Sequence, residues 1–265
     1  AMLADSVAGW SDAIARTRPR ITAIYEDSFN YLSKMCLLRM RQAALEMITR
    51  SQQAGVPILV SGSDATDHPE IYLRRGAAAV ILGEGETTLA DLVGRMLIGA
   101  RIDDVPGIAF LDDTCAVRRT ASRPFIKSLD ELPFPAWDLV DTDRYRRIWE
   151  EHHGFYSMNL ATTRGCPYHC NWCAKPIWGQ RYSMRSAAEV ADELVHVART
   201  YRPDHLWFAD DIFGLRSDWL AEFATTVDEC GGQVPFTMQS RCDLMNDQAV
   251  DALIGAGYGS AGERC

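Results

Sequence analysis

Short apolar runs rich in β-branched residues, separated by helical stripes, recur along most of this chain, and no other feature limits its fold as much. Ile21 to Tyr25 (ITAIY) reads as a first strand, and behind it Leu37, Met40, Ala44, Met47 and Ile48 share one helical face. Gly55 ends that helix, and Pro57 to Val60 (PILV) reads as a buried strand. Ala78 to Leu82 is another such run, followed by a helix carrying Leu89, Leu92, Val93, Met96 and Leu97. Strands that are apolar throughout and alternate with helices predict a parallel sheet covered on both sides.

From Asp103 the rhythm changes. Val105 to Leu111 and Ala116 to Thr120 flank Asp112-Asp113, a hairpin signal, and Pro133, Pro135 and Trp137 then interrupt any regular pattern. The stretch Pro124 to Tyr145 reads as a linker packed by its aromatic and proline side chains. Alternation resumes with strands at Tyr156 to Thr162, His205 to Ala209 and Pro235 to Gln239. The helices between them bury Val190, Leu194, Val197 and Ala198, stopping near Pro203, and then Leu220, Phe223, Ala224 and Val227 behind a cap at Ser217 or Asp218. Asn246 is positioned to cap a last helix that buries Val250, Leu253 and Ile254.

Composition narrows the class. At 47% hydrophobic and 24% charged residues, the chain matches ordinary globular proteins, which excludes disordered, collagen-like and disulfide-stapled types. No apolar run reaches the length of a membrane span, and no basic-then-apolar leader pattern opens the chain. A formal charge of −9 argues against general nucleic-acid binding, leaving room only for a local basic groove. Eight cysteines without a secretion signal point to a reducing compartment such as the cytoplasm, where clustered thiols mean metal or redox chemistry.

Three of those cysteines, Cys166, Cys170 and Cys173, form C-x3-C-x2-C after a strand. Thiolates are the usual ligands of iron–sulfur clusters. Three of them hold three irons of a four-iron cube and leave the fourth iron open, and an open metal position signals catalysis. A structural zinc site of Cys3His type using His169 is the alternative; it requires adjacent His169 and Cys170 to reach one ion. Cys36, Cys115, Cys230, Cys242 and Cys265 are scattered and read as small buried hydrophobes.

This loop, with an aromatic at Trp172 before the last cysteine, resembles the signature of the radical S-adenosylmethionine (SAM) superfamily. The resemblance implies a [4Fe-4S] cluster whose open iron is chelated by the amino and carboxylate groups of SAM. Reduction then cleaves the sulfonium to a 5′-deoxyadenosyl radical, with an electron donor such as flavodoxin or ferredoxin as partner. Trp172 then lies near adenine or packs the loop onto the barrel. Asp210-Asp211, in Phe208-Ala-Asp-Asp-Ile-Phe213, is similar to a paired-acid segment of cobalamin-type radical SAM enzymes, which implies contact with the SAM ammonium or nearby loops. Helix capping by one of the two acids is the other role open to them. Arg241, ending the third strand with Gln239 and Ser240, is placed to pair with the SAM carboxylate or to make a structural ion pair.

Upstream, Ser61-Gly62-Ser63-Asp64-Ala65-Thr66 and Gly83-Glu84-Gly85-Glu86 resemble two turns of the B12-binding Rossmann-like domain, and Pro135-Ala-Trp-Asp138 resembles the linker that follows it. Glycines at strand ends allow a bulky ligand to approach the backbone, and a helix start beside them favours a phosphate. A tight βα turn with Glu86 at a helix N-terminus accounts for Gly83 and Gly85 without any ligand. Asp64 stands where the family often has His, and no D-x-H-x-x-G supplies a lower cobalamin ligand.

The expected architecture is therefore α/β: a Rossmann-like, B12-binding type domain over residues 1–102 lacking its first strand, a hairpin and Pro/Trp-containing linker over 103–150, and the first half of a radical SAM (β/α)6 partial barrel over 151–265. About 110 residues follow Ser157, room for three βα units. The resemblance implies a fragment of an enzyme that acts on a small molecule, a metabolite or natural product, by SAM cleavage, with methyl transfer as one outcome. Cobalamin would be held by Ser61, Gly62, Asp64, Gly83, Glu84, Gly85 and Glu86. A radical SAM enzyme with a vestigial N-terminal domain and a zinc-stabilised binding module are the rivals.

Overall fold

The apolar runs of the first half become the centre of a five-stranded sheet in the computed structural model, which describes residues 7–25, 37–171, 173 and 181–259. The main division of the chain into two units lies between Ile126 and Lys127.

In the first unit, helix α1 (Val7–Thr17) precedes β1 (Thr22–Tyr25), α2 (Leu37–Gln53) and β2 (Ile58–Ser61). Two short helices, α3 (Ser63–Asp67) and α4 (Pro69–Arg75), lead to β3 (Ala79–Ile81), followed by α5 (Glu86–Leu97) and the strands β4 (Ile108–Leu111) and β5 (Val117–Arg119). The sheet order is β1-β2-β3-β4-β5; β1, β2 and β3 are parallel, and β4 and β5 are antiparallel. Side chains of successive strand residues point to opposite faces. Accordingly Ile58, Val60 and Val80 pack with Ile48 of α2 and with Tyr72 and Leu73 of α4, while Leu59, Ala79 and Ile81 pack with Leu92 of α5. Both faces are covered, which is why these runs are apolar throughout.

The hairpin was expected to belong with a linker over 103–150, but β4 pairs with β3, so it completes the first sheet. Asp112 closes the hairpin, accepting from the Thr114 hydroxyl (2.6 Å) and from the Thr114 and Ala116 amides. Three of the five cysteines read as buried lie within the described residues, and none is buried: Cys115 and Cys242 are exposed and Cys230 is half-buried. Cys115 sits in the hairpin turn at φ 60°, and the turn projects it outward. Cys36, Cys265 and Trp172 lie outside the described residues.

The second unit begins with two 3-10 turns, Leu129–Glu131 and Trp137–Leu139, where a featureless linker was expected. Helix α6 (Thr142–His153) follows, capped by Asp141, whose carboxylate accepts from the Arg144 amide at 3.0 Å. Then come β6 (Ser157–Leu160), the short β7 (Thr163–Arg164) and β8 (Ser183–Met184), α7 (Ala187–Tyr201), β9 (His205–Phe208), α8 (Ser217–Cys230), β10 (Phe236–Met238) and α9 (Asp247–Gly255). Strands β10, β9 and β6 form a parallel sheet in that order.

One face of this sheet carries Met158, Leu160, Leu206 and Phe208 into the core, whereas Asn159 and Trp207 on the opposite face are exposed, Trp207 to 44%. The βα character expected here is present, with burial on one face among the described residues. Two local expectations are corrected. Neither Ser217 nor Asp218 caps α8; the cap residue is Arg216, whose guanidinium pairs with the Asp218 carboxylate. Helix α9, capped by Asn246 as expected, buries Ala249 and Leu253, but Val250 and Ile254 are exposed. Strand β10 is the edge of the sheet, so no further strand covers that flank of α9 among the described residues.

An aromatic cluster fills the core. The Phe208 ring lies 4.6 Å from Phe213, 5.0 Å from Phe236 and 5.9 Å from Phe223, centroid to centroid. Removing it leaves a cavity that rigid neighbours cannot close, so Phe208→Ala is expected to lower stability by about 3–5 kcal/mol in a urea titration.

Candidate functional site

In α/β sheets, ligands gather at the carboxyl ends of the strands, and the predicted residues of each unit fall there. In the second unit the central group is Asp210, two residues beyond β9 and only 2% exposed. Its carboxylate accepts four hydrogen bonds from the neighbouring strand end: the Thr162 amide (2.9 Å) and hydroxyl (2.9 Å), and the Thr163 amide (2.6 Å) and hydroxyl (2.7 Å). Burial pushes its pKa up to about 6 even though these hydrogen bonds pull the other way. Asp211, beside it in sequence, is exposed. The pair therefore divides into one inward and one outward carboxylate, and neither caps α8.

Thr163 begins β7, which pairs antiparallel with β8 through Thr163–Met184 and Arg164–Ser183, so the cysteine loop is closed at its base by a short ladder. Arg185 braces the same place: its amide donates to the Thr162 carbonyl (2.9 Å), and its side chain bonds the Ala161 carbonyl and the buried Glu193. Within the loop Cys166 is buried, Cys173 half-buried and Cys170 exposed, and all three are free thiols. His169 is exposed. Among the described residues no group of three His, Cys, Asp or Glu side chains stands in a metal-holding array. The donor set itself fits an iron–sulfur cluster: three thiols unbridged by disulfides, on one loop. Binding of the metal and ordering of the loop that carries its ligands are coupled.

Arg241 lies beyond the end of β10. Its guanidinium stands 4.0 Å from the centre of the Tyr168 ring and makes two 2.9 Å bonds to the Asp243 carboxylate. Gln239 and Ser240 tie this end to the loop after β9, with the Phe213 amide donating to the Gln239 carbonyl and the Ser240 hydroxyl to the Phe213 carbonyl, both at 2.8 Å.

In the first unit, Thr66 joins the two glycine turns: its hydroxyl donates to the Gly62 carbonyl (2.9 Å) and accepts from the Gly83 amide (3.3 Å). Gly62 (φ 148°) and Gly83 (φ 81°) hold backbone that other residues rarely adopt. Gly85 is required by space, since a Cβ there would stand 2.6 Å from the Tyr25 ring and 3.0 Å from the Ser61 hydroxyl. Ser61, Gly62, Gly83 and Gly85 are thus brought together at the ends of β2 and β3. Glu84 accepts from the Ile126 amide at 2.7 Å, and Glu86 opens α5 behind its Gly85 cap.

Asp64 has a different surrounding from its neighbours in that turn. It is buried, and its carboxylate accepts from the Arg41 guanidinium of α2 and the Tyr72 hydroxyl of α4. Burial alone would raise its pKa; the Arg41 and Tyr72 hydrogen bonds outweigh it and hold the carboxyl below the usual range. No helix at Ser63–Arg75 was foreseen, so neither was Tyr72 as a partner. Thr66, Thr162 and Thr163 were also missed, although hydroxyl residues beside glycine turns and acids are the natural bridges there.

Two measurements follow from these buried acids. Asp64→Ala strands Arg41 and is expected to destabilise the protein by about 3 kcal/mol in chemical denaturation. Asp210 has its folded pKa raised to about 6, so its contribution to stability is fullest below about pH 4 and is lost as pH rises through 6. The stability difference between the protein and its Asp210→Asn variant, measured by denaturation across that range, is expected to move in the variant's favour as pH rises.

No family model matches the chain. It is 27% identical over 209 residues to an uncharacterized methyltransferase of Pyrococcus horikoshii, covering 78% of this chain and 44% of the relative. Among solved structures, it superposes with a TM-score of 0.70 at 17% identity on the cobalamin-dependent S-adenosylmethionine radical enzyme OxsB, solved with aqua-cobalamin and S-adenosylmethionine bound, covering 96% of this chain and 36% of that one. The radical S-adenosylmethionine methyltransferase TsrM of Kitasatospora setae, with cobalamin and a [4Fe-4S] cluster bound, gives 0.69 at 17% identity, with 95% and 51% covered. The chain spans less than half the length of the curated relatives it matches. A relative of methyltransferases by sequence, and alike in fold to cobalamin-dependent radical S-adenosylmethionine enzymes, the chain falls in the family that its cysteine loop and glycine turns resemble.

Proposed function

We propose that this chain is part of a cobalamin-dependent radical SAM enzyme that transfers a methyl group to a small molecule. The observation that carries the proposal is the fixing of a three-thiol loop, through Asp210 and the β7–β8 ladder, at the ligand-binding edge of a parallel sheet. Cys166, Cys170 and Cys173 are the residues to hold a [4Fe-4S] cluster, with one iron left for the amino and carboxylate groups of SAM. When bound, the cluster supplies an electron for reductive cleavage of SAM, and cobalamin supplies a methyl carrier.

The chain's own residues bind and orient. Asp211, exposed beside the clamped loop, is the carboxylate available to the SAM ammonium. Trp172 remains the aromatic proposed to lie near adenine. In the first unit, the Ser61–Gly62 and Gly83–Gly85 turns, tied by Thr66, offer backbone without side chains to a bulky ligand. Glu84 and Asp64 shape these turns from behind, through Ile126 and Arg41. The electron comes from a donor of flavodoxin or ferredoxin type, in the reducing cytoplasm where free thiols persist. The substrate is a metabolite or natural product attacked at an unactivated carbon.

Anaerobic reconstitution of the full-length protein with iron and sulfide tests the cluster. About four irons per chain with broad absorption at the visible–ultraviolet border, abolished in Cys170→Ala, are expected. Stoichiometric zinc in place of iron would reject the enzyme and leave a zinc-stabilised module. Titration with cobalamin tests the first unit, and an unchanged cobalamin spectrum would reduce it to an interaction surface.

A further inference from the structure

Both residues that resemblance places on SAM in the second unit, Asp210 and Arg241, have their polar groups engaged with the cysteine loop or its immediate support. Asp210 holds the loop's entry through both amides and both hydroxyls of Thr162 and Thr163, three residues before Cys166. Arg241 covers the ring of Tyr168, which lies between Cys166 and Cys170. The Asp243 carboxylate holds that guanidinium with two hydrogen bonds, so its plane is set before anything binds. The ends of β9 and β10 that carry the two anchors are themselves joined through Phe213, Gln239 and Ser240.

We propose that Asp210 and the Arg241–Tyr168 stack are a two-point fastening that sets the path of the cysteine loop in the absence of a cluster and slows cluster loss once one is bound. The loop must gather three thiolates, which repel one another, and ordering it costs conformational entropy. An anchor at the entry and another between the first two ligands remove much of that freedom beforehand, and the Arg241 cation offsets part of the thiolate charge. Asp210 and Arg241 are then positioning residues. The fastening rests on the cluster role proposed above, but its first test does not depend on it.

In metal-free full-length protein, Asp210→Asn is expected to speed hydrogen exchange at the Thr162 and Thr163 amides about tenfold, the effect of one weakened buried hydrogen bond. Thr163→Val, which removes a hydroxyl donor and leaves the carboxylate, gives a smaller acceleration and decides the matter if Asp210→Asn does not fold. In reconstituted protein, Asp210→Asn loses iron to a chelator about tenfold faster. Arg241→Gln and Tyr168→Leu each speed iron loss severalfold, and the double variant is no faster than either single one, because both remove one contact. Wild-type amide exchange in Asp210→Asn and Thr163→Val, or fully additive effects of Arg241→Gln and Tyr168→Leu, would overturn the fastening. Failure of the parent protein to take up iron would instead overturn the cluster role, with amide exchange still scoring the entry anchor.

Discussion

The carboxylate of Asp210 is the point on which the second unit's site depends. A fully buried acid is costly to ionise unless donors surround it, and here the donors are the amides and hydroxyls of two consecutive threonines on the adjacent strand end. Those threonines cannot move without leaving the carboxylate uncompensated. The strand-to-loop junction at Thr163 is therefore held by electrostatics, whereas the sheet behind it is held by apolar packing around Phe208. A loop that departs from such a junction starts in one direction only.

The first unit solves a related problem by different means. Its two turns at the ends of β2 and β3 are bare of side chains where they face each other, and the neutral hydroxyl of Thr66 bridges them. Behind the first turn, Asp64 is compensated by a full cation, Arg41, and its pKa falls, while Asp210, surrounded by neutral donors, has its pKa raised. The contrast follows from partner charge: desolvation acts on both acids, and only a guanidinium is strong enough to overcome it. Both carboxylates thus support ligand-facing backbone from behind.

Much of this was legible in the sequence because the signals were local. Apolar β-branched runs placed β2, β3, β6, β9 and β10 within a residue or two, and C-x3-C-x2-C singled out the loop without reference to any fold. Asn246 capped α9 as its position suggested, because a cap bonds an amide three residues away. The sequence was silent on long-range pairing. Nothing local distinguishes Asp210 from Asp211, yet one faces Thr162 across the sheet and the other faces outward. Asp64 looked like a ligand-facing substitute for His because Arg41 and Tyr72, its partners, are 23 and 8 residues away. Val250 and Ile254 looked buried because helical period reports a stripe, and a stripe is buried only where another element meets it.

That last distinction bears on how paired acids in α/β proteins are to be read. When two adjacent carboxylates follow a strand, alternation directs them to opposite sides, so at most one can turn back on the neighbouring strand end. The one that turns inward finds amide and hydroxyl donors only if the neighbouring strand ends in residues such as Thr162-Thr163; with apolar residues there, a buried acid would be left unsatisfied. The hydroxyl pair on one strand and the acid pair on the next are therefore a single feature split across 48 residues. Conversely, the acid without such donors is the one left able to meet a soluble cation. In this chain that division assigns support to Asp210 and contact to Asp211 on geometry alone.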